Sequence, residues 1–81
     1  MKKLWHVYIL ECQDGSFYTG ATNDLDKRVK AQAKGKGSKY VRAKKFKKLF
    51  KSKQCKSKSD AQKAEYQIKQ LPKQKKLDWF N

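Results

Sequence analysis

Acidic side chains are scarce in this 81-residue chain: seven Asp and Glu face twenty-two Lys and Arg, a formal charge of +15. Cysteine is scarcer still. Cys12 and Cys55 can form one bridge at most, which excludes a disulfide-built scaffold and suits reduced thiols in a cytoplasmic protein. With a single histidine there is no Cys/His quartet for structural zinc. No apolar run approaches the roughly 18–20 residues that cross a bilayer, so no membrane partner is expected. Lys2 and Lys3 precede an apolar stretch, but Trp5, His6 and Tyr8 interrupt it. No small-residue cleavage pattern follows, so a secretory signal is not expected. Hydrophobic residues make up 37% of the chain, enough for one thin core, and residues 1–81 are expected to form one domain.

What is abundant is positive charge, unevenly spread. Residues 1–33 hold five basic and four acidic side chains, whereas residues 34–81 hold seventeen basic and three acidic ones, a net of +14. Such a balance implies a polyanion. An interfacial helix would set its basic residues opposite a broad apolar face, a pattern not found here, so nucleic acid is the expected partner. The plain alternative is a solvated lysine-rich surface.

The pattern of elements predicts an α+β fold, a small three-stranded antiparallel sheet flanked by helices. Leu4–Leu10 carries apolar side chains at both parities, as a central strand buried on both faces does. Asp14-Gly15 supplies a turn, and Phe17-Tyr18-Thr19 a return strand ended by Gly20. A helix follows from Asn23 to about Ala33, capped by Asn23 or Thr22, with Leu25 and Val29 on its buried face. Lys34–Lys45 reads as a basic loop with one helical turn around Tyr40-Val41. Phe46–Lys53 does not alternate cleanly but would supply the third strand. Ser59 and Gln62 form a capping box ahead of a stripe of Ala61, Ala64, Ile68 and Leu71, stopped by Pro72. A tail helix, Lys73–Asn81, is expected to dock Leu77, Trp79 and Phe80.

Within this order, His6-Val7-Tyr8 and Tyr18-Thr19-Gly20 resemble the two halves of the GIY-YIG motif, with tyrosines ten residues apart. Arg28 matches the arginine of the following helix, and Glu65 the metal-binding glutamate of the later one. The resemblance covers roughly residues 4–71 and is nearest to the short, stand-alone YhbQ-like branch. It implies a metal-dependent endonuclease that hydrolyses phosphodiester bonds in DNA, more than RNA, with low sequence specificity. Tyr8, Tyr18, Arg28 and Glu65 would be catalytic, with Mg²⁺ or Mn²⁺ on Glu65.

The residue types suit that chemistry. Arginine offers a permanently charged planar fork to phosphate oxygens, and Mg²⁺ keeps several waters and needs few protein ligands. A free tyrosine is only about 0.1% phenolate at pH 7, so neighbours must alter its behaviour. Lys36, Lys39, Tyr40, Arg42, Lys44 and Lys45 suit gripping the strand through phosphate contacts and base stacking. Each residue also has a plainer reading: strand aromatics for the tyrosines, a solvated arginine, and a surface pair of Glu65 with Lys69 or Lys58. His6 is assigned no role.

The tyrosines can cooperate only on one face of the hairpin. A two-residue Asp14-Gly15 turn would send them to opposite faces. A three-residue loop with Gly15 left-handed pairs Cys12 with Ser16 and sets Tyr18 opposite Leu10, diagonal to Tyr8. The three-residue loop is predicted. At 100° per residue the helical stripe spans about 80°, with Glu65 just beyond one edge. Two positions depart from the family pattern: Gln32 stands where relatives often carry histidine or tyrosine, and Ala21 where some carry lysine. Glutamine bonds hydrogen but does not exchange protons near neutrality. These departures motivate the alternative, a catalytically weak or inactive nucleic-acid-binding module.

Overall fold

A computed structural model describes residues 4–80; Lys2, Lys3 and Asn81, which entered the sequence reading, lie outside the described residues. The elements are β1 (Trp5–Cys12), β2 (Phe17–Thr22), α1 (Leu25–Ala33), α2 (Lys39–Lys44), β3 (Phe46–Cys55), α3 (Lys58–Lys69) and α4 (Lys73–Trp79). The strands form one antiparallel sheet in the order β2-β1-β3. As its two-sided apolar pattern requires, β1 is central, and Val7, Tyr8, Ile9 and Leu10 are all buried.

The two faces of β1 build two cores. Val7 and Ile9 pack with Ala64 and Ile68 of α3, joined by Phe17, Phe50, Trp79 and Phe80. Tyr8, Leu10 and Cys12 pack with Val41 of α2, joined by Leu25 and Val29 of α1 and by Tyr18, Phe46 and Leu49. The irregular alternation of β3 has a physical cause. Ile9 pairs with Lys51 but Leu10 with Leu49, so an irregularity in β3 shifts the register there. That shift lets Leu49 serve the Tyr8 core and its neighbour Phe50 the Val7 core.

Several boundaries differ from expectation. The return strand runs on through Gly20 to Thr22, because Gly20 is a ladder partner of Tyr8 rather than a break. Asp24, not Asn23 or Thr22, caps α1: its carboxylate accepts from Lys27 N at 3.2 Å, while Thr22 Oγ1 accepts from Asp24 N at 3.1 Å. The basic loop contains a six-residue helix, α2. Ser57 rather than Ser59 caps α3, accepting from Asp60 N at 3.2 Å. Both serines offer the same hydroxyl, and the chain turns helical directly after leaving β3 at Cys55, so the earlier one meets the free N–H groups first. The buried phase of the helix is as expected, since Ala61, Ala64 and Ile68 point inward. In the tail helix Trp79 and Phe80 dock on the Val7 core, while Leu77 is half-buried.

Candidate active site

The hairpin brings the two motif tyrosines to one face. Cys12 N donates to Ser16 O at 2.9 Å and Gly15 N to Cys12 O at 2.9 Å, with Gly15 at φ 85°. This is the three-residue loop, which needs a left-handed residue at its third position. Asp14 steadies it by accepting from Ser16 N at 2.9 Å. Leu10 therefore pairs with Tyr18 and Tyr8 with Gly20, which leaves Tyr8 and Tyr18 as diagonal neighbours. A two-residue turn would have separated them.

Gly20 is required by space. A Cβ there would lie 2.6 Å from Tyr8 Cζ, so the phenol ring occupies the volume that any larger residue would fill. Tyr8 is 1% exposed, and burial is the main reason its pKa is pushed up to about 12. Four other groups act on the same phenol. Tyr18 adds to the rise, the Arg28 guanidinium and the Gln32 amide oppose it, and the Glu65 carboxylate adds a further rise. Side chains from β2, α1 and α3 thus converge electrostatically on one β1 hydroxyl.

The remaining geometry divides these groups by exposure. Arg28 is exposed on α1 and lines a groove of about 250 Å³ with Thr22, Asn23, Asp24, Lys27 and Ala31. Glu65 is half-buried beside the Ala64 and Ile68 stripe, as its position on the helical wheel requires. Its Oε2 meets Lys69 Nζ at 2.8 Å, one turn along the helix. The surface ion pair and the electrostatic effect on Tyr8 therefore coexist.

Helix α2 sits over the tyrosines and orients the basic segment. Ser38 Oγ caps it by accepting from Tyr40 N at 3.1 Å, and Val41 anchors it in the Tyr8 core. Lys36, Lys39, Tyr40, Arg42, Lys44 and Lys45 are all exposed. Tyr40 stacks on Tyr18, with ring centroids 6.0 Å apart and 28° between planes. Lys44 is partly engaged, 3.4 Å from Asp14 of the hairpin turn. Lys45 adopts φ 70°, and its carbonyl accepts from Gln13 N at 2.8 Å, closing the segment onto β1.

Gln32 is more deeply placed than its sequence position suggests, at 1% exposure. It is buried beneath Gly37, and its side chain hydrogen-bonds, as expected of glutamine, by accepting from Ser38 N at 3.0 Å. Its i+4 spacing from Arg28 was the available signal, because that spacing puts it on the face directed at the same site.

Glu65 would be the acidic ligand for a metal. Among the described residues no group of three or more His, Cys, Asp or Glu is placed to hold an ion. A lone half-buried carboxylate is wrong for zinc, which takes three or four protein ligands. It fits a hydrated Mg²⁺ or Mn²⁺ whose other ligands are waters and substrate phosphate.

The family model of the GIY-YIG catalytic domain matches residues 4–78. The chain belongs to the GIY-YIG family. A UPF0213 protein of Halalkalibacterium halodurans is 48% identical over 71 residues, which are 88% of this chain and 76% of the relative. Two solution NMR structures share the fold. That of the UPF0213 protein from Bacillus halodurans is 45% identical with a TM-score of 0.58, covering 94% of this chain and 81% of the other. That of a protein from E. faecalis is 35% identical with a TM-score of 0.65, covering 98% and 86%. Membership in this nuclease family supports an endonuclease-type function for the GIY-YIG domain. Among the described residues no helix is long and apolar enough to cross a membrane.

Proposed function

We propose that this GIY-YIG domain is a metal-dependent endonuclease of low sequence specificity that hydrolyses phosphodiester bonds in DNA, in the cytoplasm. The observation that carries the reading is that the hairpin sets Tyr8 and Tyr18 as diagonal neighbours on one face, with Arg28 exposed on the following helix and Glu65 at the margin of the buried stripe of α3. Free Cys12 and Cys55 suit a reducing compartment.

The roles follow from chemistry. With a pKa of about 12, Tyr8 is a neutral phenol near pH 7. It therefore orients the attacking water by hydrogen bonding rather than standing ready as phenolate. Arg28, charged and exposed, binds the non-bridging oxygens of the scissile phosphate and stabilises the charge that develops there. Glu65 would hold the cation, exchanging its Lys69 partner for it. When bound, Mg²⁺ or Mn²⁺ supplies positive charge at the phosphate and acidifies coordinated water. Lys36, Lys39, Arg42, Lys44 and Lys45 hold the backbone of the DNA, and Tyr40 offers a stacking surface.

Incubation of labelled DNA with pure protein and Mg²⁺ or Mn²⁺, beside Glu65→Ala, tests the reading. Cleavage by the parent that is lost in the variant is expected, while salt-sensitive binding persists in both. Binding without cleavage by the parent would instead favour a non-catalytic module, the reading that the non-titrating Gln32 beside Tyr8 supports.

A further inference from the structure

Part of the positive charge outside the α2 segment lies on the other side of the sheet. Lys53 on β3 is the ladder partner of Val7, so it shares the Val7 face, whereas Tyr8 points to the opposite one. On that face β3 and α3 border a groove of about 420 Å³ whose lining includes Lys53, Lys56, Asp60, Lys63 and Trp79. Three lysines against one acid leave the lining with a net charge of +2. All three lysines are exposed, and among the described residues none of them has an ion-pair partner. Helical phase sets this groove apart from Glu65. At 100° per residue Lys63 and Glu65 lie about 160° apart, on either side of the buried Ala61, Ala64 and Ile68.

Protection of a sheet edge explains only part of this. In the order β2-β1-β3 the third strand is an edge, and lysines there discourage pairing with another chain. Lys56 and Lys63 are not on the strand, however, and protection needs no aromatic ring. Trp79 supplies one. The Lys53 ammonium lies 5.1 Å from the centre of its ring, so one face of the indole is turned to the groove rather than to the core. A ring face open to a cation is open to a flat base, and unpaired ammonium groups around it suit phosphates. We propose that this groove is a second nucleic-acid surface, on the side of the sheet away from Tyr8, which holds a single strand with phosphates on Lys53, Lys56 and Lys63 and a base against the indole of Trp79. A positive channel beside an aromatic platform is the combination that binds single strands with little regard to sequence. A duplex keeps its bases within its own stack and has none to offer the indole. The surface is independent of cleavage, since it requires neither the tyrosines nor a metal.

The test uses the full-length protein and oligo(dT) in metal-free buffer. Trp5→Phe leaves Trp79 as the sole tryptophan. Its emission should be quenched as oligo(dT) binds, the signature of a stacked base, and far less by duplex DNA. The triple variant Lys53→Gln, Lys56→Gln, Lys63→Gln should lower the slope of log affinity against log salt by about 2, at roughly 0.7 per phosphate contact on a single strand. Asp60→Asn removes the opposing charge and should tighten binding, an outcome that misfolding does not produce. Unquenched Trp79 emission while fluorescence anisotropy reports binding would overturn the proposal. So would equal quenching by duplex DNA, or an unchanged salt slope in the triple variant. If Trp5→Phe does not fold, the salt slope decides alone. Quenching in a parent that never cleaves DNA upholds the groove and sinks the nuclease reading, whereas cleavage by a parent whose Trp79 stays unquenched does the reverse.

Discussion

The ring of Tyr18 on β2 lies against that of Tyr40 on α2, centroid to centroid at 6.0 Å with 28° between their planes. One is a motif residue of the hairpin and the other the exposed aromatic of the basic helix. Their stack joins the motif hairpin to the basic surface of α2.

Replacing Tyr40 tests that joint. A stacked aromatic pair contributes about 0.5–1.5 kcal/mol beyond its buried area. Tyr40→Ala should lower unfolding free energy by about 1 kcal/mol and weaken binding of single-stranded DNA, since a stacked base contributes about 1–3 kcal/mol. Tyr40→Phe should retain both. Denaturant unfolding and fluorescence anisotropy measure the two effects.

Gly20→Ala should act on Tyr8 rather than on the strand. Its added Cβ meets the phenol carbons of Tyr8 in a buried core, where overpacking costs about 1–3 kcal/mol. The expected outcome is a folded but less stable protein with a displaced Tyr8 ring and little cleavage. The same substitution in a Tyr8→Ala background, where the ring is gone, should cost far less. A double-mutant cycle by thermal unfolding reads the difference.

Tyr8 also makes stability depend on alkaline pH. Its pKa is raised from the ordinary 10.0 to about 12, so the folded state holds the phenol proton more tightly than the unfolded chain does. Stability from this source is complete below pH 10. It declines between pH 10 and about 12, where the unfolded chain has released the proton and the folded one has not. The loss is on the order of 2 kcal/mol. Lysines titrate in the same range, so the quantity to compare is the difference between parent and Tyr8→Phe. That difference should shrink steadily over the window in urea titrations at fixed pH.

The cap of α3 distinguishes two serines. Ser57→Ala removes the side chain that accepts from Asp60 N and should destabilise by about 1 kcal/mol. Ser59→Ala, inside the first turn and exposed, should stay within about 0.5 kcal/mol of the parent. Equal effects would show that the helix starts where its sequence pattern alone suggested.

Legibility in the sequence followed the range of the interaction involved. The two-sided apolar run of β1, the three-residue loop and the stripe of Ala61, Ala64 and Ile68 were readable because strand parity, turn chemistry and helical phase are properties of adjacent residues. The phase of α3 also located Glu65 at the margin of the buried stripe. The irregular order of Phe46, Leu49 and Phe50 was unreadable without the register shift against β1, which is a property of a strand pair. Ser57 and Ser59 carry the same cap chemistry two residues apart, so only the path of the chain from β3 separates them.

What the residues alone determined is the kind of fold, the pairing of Tyr8 and Tyr18 on one face, and the excess of positive charge after residue 33. These depend on periodicity, turn chemistry and composition, which are additive along a chain. Tertiary structure decided the rest: that Gly20 is absent a side chain to admit the Tyr8 ring, that Gln32 turns inward under Gly37, and that Tyr40 meets Tyr18. Each of these is a steric or hydrogen-bonding relation between elements, and no local pattern encodes a distance that only packing creates.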